Sequence, residues 1–209
     1  VGTDSRISGP VLKASLIKGF IDSGVSVWDC GIASTPAMFM TTVNGRHPVT
    51  AGIMITASHL PVNRNGLKFF TKDGGLDKKG IASILEFAAA GDFEEPVSNG
   101  SVHEWHFMDE YAGMLVDYIR KGASLTDYDH PLKGMKIIVD AGNGAGGFFV
   151  SKVLNRLGAD TSGSQFLEPD GKFPNHIPNP EDKTAMKSIC DAVKYNHADL
   201  GIIFDTDVD

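Results

Sequence analysis

Three aspartates at alternate positions, Asp205, Asp207 and Asp209, follow directly on the apolar run Leu200-Gly201-Ile202-Ile203-Phe204. Residues two apart on an extended chain point the same way, so this spacing gathers three carboxylates. Unpaired carboxylates held that close repel one another, and a hard cation with oxygen ligands removes the cost. Mg²⁺ suits the group, because it takes few carboxylates and completes its shell with water or phosphate oxygens. Calcium suits it less, since the loop is short and has no glycine pivot. The plain alternative is a solvated acidic turn. A second reactive group is Ser58, in Gly52-Ile53-Met54-Ile55-Thr56-Ala57-Ser58-His59-Leu60-Pro61. An apolar run bounded by turn residues reads as a buried strand that delivers a loop, here with a hydroxyl on it. A free serine is a weak nucleophile and needs a base or a metal beside it. His59 is adjacent in sequence, which does not oblige its ring to reach the Ser58 oxygen, and it suits loop orientation better than general-base work. A strand-end hydroxyl and a strand-end carboxylate cluster are two halves of a site for moving phosphate with a divalent metal, provided that they meet.

Other residues could serve the same site. Lys68 opens the next apolar run and can return a positive charge to the serine loop, or it can be a surface lysine. Arg6, in Gly2-Thr3-Asp4-Ser5-Arg6-Ile7-Ser8-Gly9, has the planar fork that clamps either a carboxylate or a phosphate. Asp140-Ala141-Gly142-Asn143-Gly144-Ala145-Gly146-Gly147 mimics a phosphate-cradling loop. It lacks the lysine-serine/threonine ending and a clean dinucleotide fingerprint, so a tight turn for close strand–helix packing is the sounder reading. His176 lies in a stretch stiffened by three prolines, Pro174, Pro178 and Pro180, and reads as structural or functional with equal ease.

The elements that must position these groups alternate. Helices are expected over 10–23, from 35 to a fade at Asn44-Gly45, 77–90, 107–121, 148–157 and 181–195. Strands are expected over 25–28, 49–55, 67–71, 136–139 and 200–204, with a further possible one over 161–167; 2–9 and 91–101 read as loops. Asp77 is placed to cap its helix, and Gly158 to end one. Strands alternating with helices of this length predict an α/β fold: two consecutive three-layer α/β/α domains, each with a mostly parallel, mixed sheet. The polar segment 122–134 marks the boundary, giving domains over 1–125 and 126–209. In such sheets ligands gather at the carboxyl ends of the strands, where Ser58, Asn143 and the aspartate cluster fall.

Composition narrows the class further. A net charge of -7 argues against a nucleic-acid binder that works by neutralising phosphates. No apolar run approaches membrane-spanning length and no signal peptide opens the chain. The two cysteines, Cys30 and Cys190, form no spacing motif and suit a reducing compartment, so a cytoplasmic location is expected. A start at Val1 without methionine and a stop at Asp209 suggest a piece of a longer protein.

Taken together, Gly2-Thr3-Asp4-Ser5-Arg6 with Ser8-Gly9, Thr35-Pro36, Thr56-Ala57-Ser58-His59, Gly66-Leu67-Lys68, Asp140 to Gly147, Phe173 to Pro180 and Asp205 to Asp209 resemble the alpha-D-phosphohexomutases, in the family's order and across essentially the whole chain. That family includes phosphoglucomutase, phosphomannomutase and phosphoglucosamine mutase. The resemblance implies the first two of four domains. Domain I would lack its opening strand and helix, and domains III and IV would be missing C-terminal partners from the same protein. It implies Ser58 as the phosphate carrier, Asp205, Asp207, Asp209 and a phosphoserine oxygen as Mg²⁺ ligands, and Arg6, Lys68 and His59 as members of the active-site surface. The implied reaction is reversible phosphoryl transfer between C1 and C6 of a hexose phosphate through a hexose 1,6-bisphosphate. Two departures stand out: Leu60 replaces the family's asparagine, and Thr206 and Val208, both branched at Cβ, space the aspartates. These leave open a non-catalytic sugar-phosphate or metal-binding relative. An aspartate-nucleophile phosphatase and a purely structural fragment are the remaining alternatives.

Overall fold

Pro10 lacks an amide hydrogen and suits a first helical turn, and α1 runs Gly9–Asp22 with Leu16, Ile17 and Phe20 half-buried. The computed structural model describes residues 1–44, 46–47, 49–93, 95, 100–123 and 127–209. Ahead of α1 lies β1 (Gly2–Thr3), in a stretch that reads as loop; two paired residues carry no side-chain periodicity from which to find them. After it come β2 (Val27–Asp29), α2 (Thr35–Asn44), β3 (Gly52–Ile55), β4 (Leu67–Thr71) and β5 (Gly74–Gly75). The expected fade of α2 at Asn44-Gly45 falls partly on Gly45, outside the described residues. Then follow α3 (Lys78–Ala90), β6 (Val102–Glu104) and α4 (Phe107–Gly122). Asp77 caps α3 as its position predicts, its carboxylate accepting from the Gly80 amide at 2.8 Å.

The sheet order β1-β3-β4-β5 is mixed: β1 and β3 are parallel, while β4 returns antiparallel to β3 after the serine loop. Register explains why chemistry collects at one end. Thr3 pairs with Ile55, so Asp4 and Thr56 leave the sheet side by side. Met54 pairs with Lys68, which brings that lysine back to the same end. A parallel bridge from Thr3 to Ile32 draws the start of α2 there as well. A separate pair, β2 and β6, is parallel.

In the second half, β7 (Ile137–Asp140) pairs in parallel with β8 (Leu200–Ile203), and α5 (Lys183–Asn196) packs against both. Two expectations change here. The possible strand over 161–167 contributes only one isolated bridge, from Gln165 to Asp140; a second, from Asp160 to Lys136, lies just ahead of it. A turn closed by the Ser164 amide on the Thr161 carbonyl, with Gly163 and Phe166 both at positive φ, breaks its extension. The helix over 148–157 is not regular: a 3-10 turn at Ala145–Gly147 leads into a π turn at Phe149–Leu154 and a 3-10 turn at Asn155–Leu157. Val150, Val153, Leu154 and Leu157 are buried in this winding as they would be in an α-helix, so the apolar pattern is silent about the difference.

Helix α4 belongs to both halves. Phe107 and Tyr111 enter a core with Met38, Met54 and Trp105, whereas Ala112 and Val116 enter one with Val153 and Leu157. At about 100° per residue the two pairs lie on stripes roughly 140° apart, so one helix serves two cores. The expected boundary at 125/126 lies outside the described residues. No helix among the described residues is long and apolar enough to cross a membrane.

The proline-stiffened stretch is tied to β7 through His176. Its Nε2 donates to Asp140 at 3.0 Å and its Nδ1 lies 2.9 Å from the Ile177 carbonyl, all in buried surroundings. The bond to Asp140 raises the imidazole's pKa above its ordinary value, against burial, which lowers it. A raised histidine contributes stability that is complete below its unfolded value of about 6.5 and is lost as pH rises through the folded value. Melting temperature should therefore fall as pH is raised from about 6 to about 8, and the slope should be shallower in His176→Gln. Thermal unfolding across that range checks this; an identical slope in the variant would remove His176 from the role.

Candidate active site

Strand β8 ends at Ile203 and delivers Asp205, Thr206 and Asp207 into buried positions, while Asp209 is exposed. Carboxylate oxygens of the three aspartates lie within 4.8 Å of one another. The gathering expected from their spacing is present, although the loop is folded rather than straight. The Asp209 amide donates to Asp205 Oδ1 at 2.9 Å, curling the segment back on itself.

The loop is seated on the glycine-rich turn after β7. The Ala145 amide donates to the Thr206 carbonyl at 2.9 Å. A Cβ on Gly144 would lie 2.7 Å from that carbonyl oxygen and 2.8 Å from the Thr206 Cα, so this glycine is a condition for the loop's position. The turn thus supports the acidic loop by close packing. Val208 is less comfortable, with φ at 73°. A Cβ-branched residue is a genuine outlier in the left-handed region, and such backbone strain costs about 1–3 kcal/mol.

Among the described residues, every side chain outside the cluster that bonds to these carboxylates comes from the first half of the chain. The Ser58 hydroxyl donates to Asp205 Oδ2. The Thr35 hydroxyl donates to Asp207 Oδ2, and the Thr35 amide donates to the Asp207 carbonyl at 2.9 Å. Lys68 Nζ lies 2.7 Å from Asp207 Oδ2 and 3.3 Å from Asp209 Oδ2. Burial works against the Lys68 ammonium, but its hydrogen bond to Asp207 and the charges of Asp207 and Asp209 outweigh that and raise its pKa. Burial, followed by the charge of Asp207, pushes the Asp205 carboxyl up to about 6, against the opposing hydrogen bond from Ser58.

One ammonium does not balance three carboxylates. Asp207 Oδ1 is buried without a hydrogen-bond partner among the described residues, as is Thr206 Oγ1. An orphaned buried carboxylate oxygen within a cluster of hard oxygen donors fits a small divalent cation.

Around Ser58 the geometry is equally specific. Ser58 has φ at 51°, and its amide donates to Thr56 Oγ1 at 2.8 Å. Thr56 Oγ1 donates in turn to Asp4 Oδ2 at 2.7 Å, and Asp4 also receives the Arg6 amide and Nε–H at 2.9 and 3.1 Å. Arg6 is fully buried and its remaining four N–H groups all go to carbonyls of the serine loop. Of the two partners open to Arg6 in the sequence, a carboxylate and a phosphate, its side chain holds the carboxylate of Asp4 and has no donor left over. His59 is exposed and its ring makes no hydrogen bond to Ser58 among the described residues. Ser58, Lys68, Asp205, Asp207 and Asp209 therefore meet, His59 flanks them, and Arg6 lies beneath the loop.

Sequence reasoning assigned no role to Thr35, Thr56 or Asp4. Thr35 had a signal, a hydroxyl just before the Pro36 that opens α2. For Asp4 and Thr56 the signal was register: two polar residues that follow paired strand ends must lie side by side.

Two family models match the chain: phosphoglucomutase/phosphomannomutase alpha/beta/alpha domain I over residues 1–95 and domain II over residues 116–209. The second match begins inside α4, the helix shared between the cores. A phosphoglucomutase of Neisseria meningitidis serogroup A is 33% identical over 209 residues, covering 100% of this chain and 43% of that protein. A phosphomannomutase of Escherichia coli is 33% identical over 217 residues, covering 100% of this chain and 46% of that protein. The crystal structure of a phosphoglucomutase/phosphomannomutase family protein from Burkholderia thailandensis superposes with a TM-score of 0.83 at 28% identity, covering 99% of this chain and 43% of that one. The chain thus spans less than half the length of these relatives. With both domain models matched in order along it, the chain belongs to the phosphoglucomutase/phosphomannomutase family.

Proposed function

We propose that this chain is the part of a phosphohexomutase that carries the phosphoryl group and its metal, with residues 1–125 as domain I and 126–209 as domain II. In the full-length protein the reaction would be reversible phosphoryl transfer between C1 and C6 of a hexose phosphate. The observation that carries this reading is the hydrogen bond from the Ser58 hydroxyl to Asp205, which joins a loop of one sheet to a loop of another. Relatives named phosphoglucomutase and phosphomannomutase support the substrate class.

Phospho-Ser58 donates its phosphoryl group to a sugar hydroxyl: a phosphorus–oxygen bond forms to the sugar as the bond to Ser58 Oγ breaks, the sugar hydroxyl loses its proton and Ser58 Oγ takes one up. The product is a hexose 1,6-bisphosphate. It reorients and returns its other phosphoryl group to Ser58, leaving the isomeric monophosphate. Asp205, Asp207 and Asp209 would hold Mg²⁺ together with an oxygen of phospho-Ser58. When bound, the ion supplies charge neutralisation at the phosphoryl oxygens. Lys68, already drawn to this pocket, adds a fixed positive charge to hold the group in line. His59, exposed at the loop, orients the entrance rather than taking a proton from Ser58. Groups that recognise the sugar and its distal phosphate would belong to further domains, III and IV, in the remaining length that the relatives have.

Two observations favour a second reading, a non-catalytic sugar-phosphate or metal-binding relative. Val208 holds a strained backbone inside the acidic loop, and Leu60 gives the serine loop an exposed apolar side chain. Phosphate on Ser58 separates the two, because a binding protein has no need of a phosphorylated serine.

In the full-length protein, Ser58→Ala should fold and lose at least about 10²-fold in mutase turnover, and intact-mass and phosphopeptide analysis should find one phosphoryl group on Ser58 in the parent alone. Near-normal turnover in the variant would reject the nucleophile. Gly144→Ala should weaken Mg²⁺ binding, read by titration calorimetry, by about tenfold or more, because it displaces Thr206 between two of the ligands; unchanged affinity would place the ion elsewhere. The 209-residue chain alone should show no isomerisation of glucose 1-phosphate or mannose 1-phosphate in a coupled assay, and sustained turnover would contradict the assignment of sugar recognition to other domains.

A further inference from the structure

Five N–H groups on one buried guanidinium are all engaged, and four of their acceptors belong to a single loop. Arg6 Nη1 donates to the carbonyls of Pro61 at 2.8 Å and Arg64 at 3.0 Å. Nη2 donates to the carbonyls of Ser58 at 2.6 Å and Leu60 at 2.7 Å. Nε donates to Asp4 Oδ2 at 3.1 Å, and the ring of Phe173, from the second half of the chain, lies 5.6 Å from Cζ. The loop therefore wraps its carbonyls around a cation instead of turning them to water.

The stretch so held includes the one residue whose backbone matters most. Ser58 sits at a positive φ that residues with a side chain adopt rarely, and in that conformation its hydroxyl points to Asp205. Its carbonyl is fixed by Arg6 and its amide by Thr56, which is itself fixed by the Asp4 that pairs with Arg6. Both sides of the strained residue thus lead back to one ion pair.

We propose that Arg6 is a positioning residue: it fixes the serine loop in the conformation that aims Ser58 at the acidic pocket, and it acts on the reaction through the loop, without touching phosphate. This rests on Ser58 as the phosphate carrier. Lysine cannot substitute, because its three donors radiate from one point and cannot reach Asp4 and four separate carbonyls.

The test uses the full-length protein with Arg6→Lys, which keeps the charge opposite Asp4. Hydrogen exchange of the amides over 57–66 should speed up by at least about tenfold, while those of β7 and β8 stay as in the parent. Turnover should fall by about 10²-fold with KM for the sugar phosphate within about threefold, because a loop displacement near 1 Å is enough for that loss. Unchanged exchange over 57–66 would overturn the proposal. So would faster exchange with parental turnover, and so would a rise in KM that matches the fall in turnover, since that marks a lost ligand contact. Should Arg6→Lys fail to fold, Arg6→Gln keeps a side-chain amide that can donate to part of the loop's carbonyls, and the same readouts then apply. Ser58→Ala, assayed in parallel, keeps the two ideas apart: a nucleophile elsewhere shows as retained turnover in that variant, whatever the exchange rates report.

Discussion

Carboxylates cannot be crowded into a buried loop unless something protic or positive faces them. The loop at the end of β8 buries two of its three, and among the described residues the second half of the chain offers them one backbone amide, that of Asp209. A hydroxyl from the serine loop, a hydroxyl from the start of α2 and an ammonium from β4 all come from the other half. This unmet demand for hydrogen and positive charge couples the two halves at the site. It also leaves something over, since Asp207 Oδ1 has no partner among the described residues. A carboxylate oxygen left over among other hard oxygen donors is the chemistry that suits a small divalent cation.

Supporting structure is arranged in layers behind those contacts. Gly144 lets the acidic loop lie directly on the turn after β7, and the Asp140–His176 pair holds the neighbouring proline-rich stretch against the same turn. On the facing side, Asp4, Thr56 and Arg6 do for the serine loop what the glycine turn does for the acidic one. Each reactive segment thus rests on an inner shell that has no direct part in chemistry, an arrangement expected where small displacements cost large factors in rate.

Much of this was legible in the residues. Ser58 and the aspartates announced themselves because strand ends carrying polar groups break an apolar run abruptly, and the Asp77 cap and the Gly158 stop follow local rules that need no tertiary context. What stayed hidden depended on partners far away in sequence. Strand β1 is only two residues long and exists because β3 lies beside it. The break at 161–167 comes from backbone dihedrals that Phe166 would not be expected to adopt. The π turn buries the same side chains as an α-helix would. Arg6 was visible as a fork in search of an anion, but nothing in its neighbours foretold that four carbonyls would reach it first.

Helix α4 lends residues to two cores, and Phe148 packs against both. Loss of either core would strip one side of the same helix, so loosening on one side bears on the element that supports the other. The hydroxyl and the acidic loop are therefore mounted on a common spine, and their spacing should survive thermal agitation until the whole assembly lets go together.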